Sequence, residues 1–194
     1  MSTVIKSHGF TNEALDWKSW LDTVDPGQAT PEQIEVLERS HPRAKESDYY
    51  LALAHQPGIL RQRSEAYNAI MYAPGGLPRA ERELAALTVS RVNGCVYCAS
   101  VHAERFQQLA KRDDVVREVF DNPLTAGEAG RERAIVQFSI LLTQSPERVS
   151  ADDIQTLADA GLDRAEILDL IHAASIFAWA NRLMLNLGEP VFPE

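Results

Sequence analysis

The spacing of apolar and polar positions along this chain predicts helices almost throughout. A helix is expected from about residue 79 to 92, where Leu84, Leu87 and Val92 indicate a buried side. A longer one is expected from about 163 to 187, before a glycine. We find no convincing alternation of β-branched and aromatic residues that would indicate strands. The pattern therefore predicts an all-α fold.

Capping residues mark the ends of several of these helices. Thr30 and Gln33 form a capping box around Pro31, which favours a helix beginning there. Gly94 is suited to end the helix that precedes it. Further helices are predicted over about 57–72, 95–111, 114–120 and 126–143. Short, well-marked helices of this kind are typical of a helical bundle.

The first 30 or so residues are less regular than the rest of the chain. They contain Trp17 and Trp20, three residues apart, which we interpret as anchors that hold an arm onto the core or a neighbouring subunit. We therefore predict an N-terminal helical extension over 1–46 and a helical domain over 47–194, forming one structural unit.

Length and charge limit the possible functions. The 194 residues suffice for one well-packed domain. A formal net charge of −9 argues against non-specific nucleic-acid binding, which needs a basic surface. The sequence has no run of ~18 apolar residues for a membrane span, and the segment from Met1 to Lys6 lacks the apolar core of a signal peptide. We expect a cytoplasmic protein with no nucleic-acid or membrane partner.

The only two cysteines, Cys95 and Cys98, lie three residues apart, and His102 follows one helical turn later. If Cys95 opens a helix, all three side chains share one face. The first turn of a helix also stabilises a thiolate, and an imidazole beside Cys98 can take its proton. In a reducing cytosol such a pair is more often catalytic, redox-sensing or metal-binding than structural.

Two other uses of a Cys-x-x-Cys pair fit less well. A zinc site normally needs four ligands, and here His102 supplies only a third, so Glu83 or His172 would have to complete the set. Thioredoxin-like proteins place the pair after a strand, whereas the segment before Cys95 is predicted to be helical. A helical thiol–disulfide site that needs no cofactor is the interpretation that remains.

Residues 76–106 resemble the alkylhydroperoxidase D-like superfamily, also called the carboxymuconolactone decarboxylase-like fold. The signature is a glutamate, a Cys-x-x-Cys pair that begins twelve residues later, and a histidine four residues beyond the pair. The matching positions are Glu83, Cys95, Cys98 and His102. More loosely, Asn181 and Arg182, followed by Leu187 and Gly188, are similar to the branch described as uncharacterized peroxidase-related enzymes.

The resemblance implies an alkylhydroperoxidase D-like helical bundle that acts as a cofactor-free thiol peroxidase on alkyl or hydrogen peroxides. Cys98 would attack the hydroperoxide and become a sulfenic acid, which Cys95 would resolve as a disulfide. Glu83 and His102 would relay protons, through water, from the Cys98 thiol to the leaving alkoxide. The implied partners are a hydroperoxide substrate, a thiol or protein disulfide reductant, and copies of the same chain in a dimer, trimer or hexamer.

One position departs from the family pattern. Some members carry a second histidine just before the second cysteine, where this chain has Tyr97. A phenol with a pKa of ~10 is a poor base at neutral pH, so we expect a less activated Cys95. Decarboxylase members lack the cysteine pair, which makes lactone decarboxylation a poor fit. The alternative to a peroxidase is a redox-sensing or disulfide-relay protein that is oxidised once and turns over little peroxide.

Overall fold

The computed structural model describes residues 3–193, so Met1, Ser2 and Glu194 of the predicted units lie outside the described residues. Helices dominate the fold, as the sequence predicts. They are α1 Pro31–Ser40, α2 Asp48–Leu53, α3 Pro57–Tyr72, α4 Arg79–Asn93, α5 Val96–Ala110, α6 Asp114–Asp121, α7 Arg131–Gln144, α8 Ala151–Asp159 and α9 Arg164–Leu187. Single 3₁₀ turns occur at Ala44–Glu46 and Pro146–Arg148.

Helix ends follow the local chemistry of the sequence. At α1 the Thr30 side chain accepts from the Gln33 N–H at 3.3 Å, and the Gln33 side chain accepts from the Thr30 N–H at 2.9 Å. The capping box is therefore confirmed. Helix α7 begins five residues later than predicted. Gly127 and Gly130 have φ angles of 91° and 92°, which a right-handed helix cannot accommodate.

Four short strands depart from the predicted absence of strands. They are β1 Lys6–Ser7, β2 Phe10–Thr11, β3 Asp16–Ser19 and β4 Gly188–Val191. β1 and β2 form a hairpin whose two turn residues, His8 and Gly9, both have positive φ angles. β3 pairs antiparallel with β4, so the start of the chain is joined to its end. The predicted helical extension thus contains three strands and a single α-helix over residues 3–46.

Helix α4 forms the centre of the bundle. It packs against α5, α7 and α9, and every residue from Arg82 to Ser90 is buried. Leu84 and Leu87 lie in this core as predicted, whereas Val92 is half-buried near the helix end. A helix that is covered on all sides offers positions where a charged side chain is shielded from water. Glu83 occupies one of these positions.

A second apolar cluster joins the N-terminal region to the rest of the chain. Val36 and Leu37 of α1 pack with Leu51 of α2 and Leu60 of α3. This cluster crosses the predicted boundary between residues 46 and 47, and the boundary stays a prediction.

The two tryptophans of the N-terminal region lie in different environments. Trp17 is buried edge-on against Tyr49, with ring centroids 5.7 Å apart, and its indole N–H donates to the Met184 carbonyl at 3.3 Å. It therefore anchors this region to the core. The Trp20 side chain is 59% exposed, whereas its backbone N–H donates to the Leu187 carbonyl at 2.7 Å. The predicted homo-oligomer stays a prediction.

Across the described residues, no helix combines the length and the apolar character that a membrane span requires.

Candidate active site

The junction between α4 and α5 determines where the two cysteines lie. Gly94 ends α4 with a φ of 78°, and the Cys95 N–H then bonds back to the Ser90 carbonyl at 2.9 Å. As a result, Cys95 takes the N-cap position in an extended conformation, and α5 begins at Val96. Cys95 thus opens α5 as its N-cap residue, since its carbonyl accepts from the Ala99 N–H at 2.9 Å. The side chains of Cys95 and Cys98 lie in one buried cluster, and each thiol affects the pKa of the other.

The two reduced thiols are buried and share a third polar partner. Cys95 is 2% and Cys98 6% exposed. The side-chain amide of Asn181, on α9, lies close enough to both sulfur atoms to lower the pKa of each thiol. Asn181 is itself held in place, because its Oδ1 accepts from Asn93 Nδ2 at 3.0 Å and its Nδ2 donates to Ser90 Oγ at 3.1 Å. Helix α9 thus supplies a fixed donor to the dithiol, although the sequence marked Asn181 only by family resemblance.

The two thiols differ in acidity. Burial raises the pKa of Cys98 well above its ordinary value, and the hydrogen bond with Cys95 raises it further. The same hydrogen bond, donated by Cys98, lowers the pKa of Cys95. Cys98 is therefore a protonated thiol at neutral pH and needs a base before it can act as a nucleophile.

A histidine and a glutamate form a buried pair one helical turn beyond Cys98. His102 Nδ1 lies 2.5 Å from Glu83 Oε2. The other carboxylate oxygen of Glu83 accepts from Arg79 Nε at 2.7 Å. Glu83 has no exposed surface, yet it is buried with two partners rather than alone.

The protonation states of this pair follow from its surroundings. Burial lowers the pKa of His102, although Glu83 opposes the effect, so the imidazole is neutral at neutral pH. Burial alone would raise the pKa of Glu83, but His102 and two arginines outweigh it and lower the pKa. A carboxylate at Nδ1 requires the proton on that nitrogen, which leaves His102 Nε2 as a proton acceptor. The pair has the components of a general base held in one tautomer.

A cavity of about 600 Å³ connects these groups to the outside. Cys98 and His102 lie on its wall. Much of the remaining wall is aromatic, contributed by Trp17, Tyr49, Tyr50, Tyr67, Tyr72, Tyr97 and Phe177. The Phe177 ring stands edge-on to the His102 ring, with centroids 4.2 Å apart, and this packing restricts the orientation of the imidazole. The space is that of a small organic ligand rather than of a peroxide molecule alone.

Sequence reasoning missed two arginines on the cavity wall. Arg63 of α3 is 7% exposed and lies among tyrosine rings, and Arg105 of α5 donates to the Tyr67 hydroxyl at 3.3 Å and to the Tyr72 hydroxyl at 3.4 Å. An arginine within a helix is ordinarily exposed, so neither residue attracted attention. The one available signal was the four-residue spacing of Arg63 and Tyr67, which places them together on one helix face.

Two residues that entered the sequence argument do not supply a base or a ligand. Tyr97 lines the cavity, but burial raises its pKa, so it cannot replace the second histidine of some family members. His172 is exposed on α9. Within residues 3–193, no three or more His, Cys, Asp or Glu side chains are grouped as ligands of a metal ion would be.

Comparisons with known proteins agree with this description. Residues 57–140, from α3 into α7, match the Carboxymuconolactone decarboxylase family. This match supports the resemblance to the alkylhydroperoxidase D-like and carboxymuconolactone decarboxylase superfamily that the cysteine signature predicts. The matched segment includes Glu83, both cysteines, His102 and Arg63. No curated protein matches the chain significantly in sequence.

Solved structures with the same fold include proteins described by different activities. An alkylhydroperoxidase AhpD core, described as an uncharacterized peroxidase-related protein from Ralstonia eutropha JMP134, is 23% identical with a TM-score of 0.76 over 87% of this chain and 90% of its own. A peroxidase-related protein from Silicibacter sp. TM1040 is 22% identical with a TM-score of 0.74 over 89% and 91%. The debrominase Bmp8 is 17% identical with a TM-score of 0.64 over 83% and 86%. The fold therefore carries more than one chemistry.

Proposed function

We propose that this protein is a cofactor-free thiol peroxidase that reduces alkyl hydroperoxides and hydrogen peroxide through a Cys95–Cys98 disulfide cycle. The observation that carries the proposal is the combination of a dithiol with a neutral, carboxylate-held imidazole at one organic-sized cavity. Cys98 is the attacking residue because its side chain lies on the cavity wall. Its raised pKa is the reason that the site needs His102.

The first step oxidises Cys98. A water molecule carries the Cys98 proton to His102 Nε2, and the resulting thiolate attacks the terminal oxygen of the hydroperoxide. The O–O bond breaks as the S–O bond forms, so the peroxide gains two electrons and Cys98 becomes a sulfenic acid. The leaving alkoxide takes a proton from His102 and departs as an alcohol. Glu83 stabilises the imidazolium that exists between the two proton transfers.

The second step closes the disulfide. The Cys95 thiol, which lies in the same buried cluster as Cys98, loses its proton and attacks the sulfenic sulfur. The S–S bond forms as the S–O bond breaks, and the hydroxyl group leaves with that proton as water. The lowered pKa of Cys95 favours this role, because a resolving thiol attacks as a thiolate. A dithiol reductant then returns two electrons and restores both thiols. Asn181 lies beside both sulfurs and lowers the pKa of each thiol, which favours the thiolate forms that the cycle needs.

A redox sensor is the second candidate, and the burial of both thiols favours it. Cys95 and Cys98 have little exposed surface, so a large protein reductant has poor access to the disulfide. A sensor would be oxidised once by peroxide and would then await a specific partner. The two candidates share the oxidation steps and differ only in turnover.

Peroxide consumption distinguishes the candidates. Reduced wild type is given cumene hydroperoxide with excess dithiothreitol, beside Cys98→Ser, and free thiols are counted before and after. The peroxidase predicts sustained turnover that disappears in Cys98→Ser, with two thiols lost per chain when the reductant is omitted. Thiol loss without turnover would support the sensor. Retention of both thiols in the presence of peroxide would contradict both candidates.

A further inference from the structure

The inner wall of the cavity carries a buried positive charge that the peroxidase cycle does not use. We propose that the substrates are organic hydroperoxides that bear a carboxylate, and that the carboxylate binds Arg63 while the hydroperoxide reaches Cys98. This assignment of a substrate class rests on the function proposed above.

Arg63 is a buried guanidinium without an acidic partner. Among residues 3–193 it forms no salt bridge, and its side-chain hydrogen bond is a long one, to the Tyr50 hydroxyl at 3.4 Å. The guanidinium carbon lies 5.5 Å from the ring centroids of Tyr49 and Tyr50 and 4.8 Å from that of Tyr67. Aromatic faces attract a cation but leave most of its N–H donors unused. Buried charges are ordinarily paired, so this arrangement is suited to an anion that comes from outside the protein.

Another buried arginine of the same chain has an acidic partner. Arg82 is also nearly fully buried, but it pairs with the Asp169 carboxylate at 2.9 Å and donates to the carbonyls of Ile70 and Ala73, although its Nε has no hydrogen-bond partner in the described residues. The contrast between the two arginines is therefore in charge pairing: Arg82 has a carboxylate partner and Arg63 has none.

A second polar group on the same wall lacks a partner. The Tyr49 hydroxyl oxygen is buried without a hydrogen-bond partner of normal geometry in the described part of the chain. Burial raises the pKa of Tyr49 to about 12, so the group is an O–H donor at any physiological pH. The Tyr49 side chain packs against Cys98 and also lies beneath Arg63. A single tyrosine thus separates the cation from the reactive thiol and offers a donor between them.

The charges that face the cavity favour an anion inside it. The acidic residues on its lining either have a partner already or are exposed to solvent. Glu46 pairs with Arg43 at 3.1 Å, and Asp48 accepts from a backbone N–H at 3.2 Å. Asp16 is exposed. Burial lowers the pKa of His41 on the same wall, and Arg105, Arg43 and Arg63 lower it further, as a positive field would. This local charge contrasts with the net −9 of the whole chain.

The ligand that suits these groups has a carboxylate at one end, an unsaturated or aromatic body, and a hydroperoxide at the other end. A carboxylate can accept two parallel hydrogen bonds from one guanidinium, and the tyrosine rings pack against the body. The hydroperoxide is reduced by two electrons to an alcohol as Cys98 is oxidised, and the dithiol reductant later restores the thiols. The carboxylate is unchanged throughout, so Arg63 binds and orients the substrate without taking part in the chemistry.

The test compares cumene hydroperoxide with its para-carboxylate derivative, which has the same body and one added charge. For wild type we expect kcat/KM to be at least about tenfold higher for the carboxylate, because hydrogen bonds to charged groups contribute about 1.5–3 kcal/mol. Arg63→Met is expected to lower kcat/KM for the carboxylate about 10–100-fold, mainly by raising KM. The same variant is expected to change kcat/KM for cumene hydroperoxide less than about threefold. Arg63→Lys should retain part of the preference.

A matched control and a binding measurement keep the outcomes separate. Arg61 lies on the same helix but pairs with Glu32 and Glu35 outside the cavity, so Arg61→Met should keep the wild-type preference. If wild type shows no turnover at all, the proposed function fails. The anion site is then tested separately by calorimetry of 4-isopropylbenzoate binding, in Cys98→Ser and in the double variant that also carries Arg63→Met. Equal kcat/KM for the two peroxides in wild type, or equal loss of both in Arg63→Met, would overturn the assignment. So would binding of 4-isopropylbenzoate that does not depend on Arg63.

Discussion

Glu83 of α4 and His102 of α5 form a carboxylate–imidazole pair across the core, with 2.5 Å between Oε2 and Nδ1. The two residues lie nineteen positions apart, and neither is exposed to bulk solvent. The pair fixes which imidazole nitrogen is free, because Glu83 occupies the other. A buried, oriented base is the element that a poorly acidic Cys98 requires.

Replacing Glu83 by Gln is expected to lower kcat for peroxide reduction by about 10²–10³-fold, within the usual range for a positioned acid–base group. An amide no longer stabilises the imidazolium and can present its N–H to Nδ1, which favours the wrong tautomer. Glu81→Gln is the matched control, since Glu81 lies two residues before Glu83 on the same helix and pairs with Arg131 instead. Comparable losses of kcat in both variants would argue against a specific role of Glu83. Steady-state assays with cumene hydroperoxide measure the difference.

The pH dependence of the reaction follows from the neutral state of His102. Burial lowers its pKa below 6.5, so the base is available at pH 7 and is lost only as the pH falls through that lowered value. The acid limb of the kcat/KM profile is therefore expected below pH 6.5. His102→Gln should remove this limb together with most of the rate. An acid limb above pH 7 in wild type would contradict the assignment.

The same lowered pKa affects stability with a definite sign. Unfolded His102 binds a proton at its ordinary pKa of about 6.5, whereas the folded side chain does not. The free energy of unfolding is therefore expected to fall as the pH drops below about 6.5. Urea unfolding at pH 7.5 and pH 5.5 measures the loss, which should be smaller in His102→Gln. Identical losses in both proteins would assign the pH effect to other groups.

Asn181 is expected to support the reactivity of both thiols. Its amide lowers the pKa of Cys95 and Cys98 by donating hydrogen bonds to their charged forms. Asn181→Ala should slow single-turnover oxidation by about tenfold at pH 7, the equivalent of one hydrogen bond to a charged group. The deficit should shrink at higher pH, where thiolates form without help. Asn186→Ala, an exposed asparagine on the same helix, should leave the rate unchanged.

Gly188 is required where β4 meets β3. A Cβ there would lie 2.2 Å from the Lys18 carbonyl oxygen and 2.3 Å from the Trp17 ring. Gly188→Ala should therefore destabilise the fold by about 1–3 kcal/mol, the usual range for overpacking. In Gly58→Ala of α3 the new methyl meets nothing within 4 Å, so that variant should be neutral or more stable by up to about 1 kcal/mol. Thermal unfolding of both variants tests the contrast, and equal effects would contradict the packing account.

The helices and the four signature residues were accessible from the sequence because they depend on local patterns. The capping box at Thr30 and the glycine at Gly94 act within one turn of their own position, so they can be identified without knowledge of the tertiary structure. The strands were missed because two to four residues show no periodicity, and β3 finds its partner far along the chain. The start of α7 was placed too early because the positive φ angles of Gly127 and Gly130, which exclude a helix there, are not visible in the spacing of residues.

The cavity could not be predicted for a similar reason. Its wall combines side chains from α2, α3, α5 and α9, and no local pattern shows that these helices face one another. From the sequence, Arg63 would be predicted to be an exposed charge on a helix. Only the structure shows that the rings of Tyr49 and Tyr67 lie against its guanidinium. The order of acidity of Cys95 and Cys98 likewise depends on burial and on Asn181. The spacing of residues along the sequence shows neither of these.

The most direct test of the account is to trap the sulfenic acid with dimedone after one equivalent of cumene hydroperoxide, in Cys95→Ser and in Cys98→Ser, and to locate the adduct by mass spectrometry. If Cys98 is the attacking thiol, an adduct forms on Cys98 in Cys95→Ser and none forms in Cys98→Ser. An adduct on Cys95 in Cys98→Ser, with none on Cys98 in the other variant, would contradict it, because the thiol of lower pKa would then be the one that attacks the peroxide.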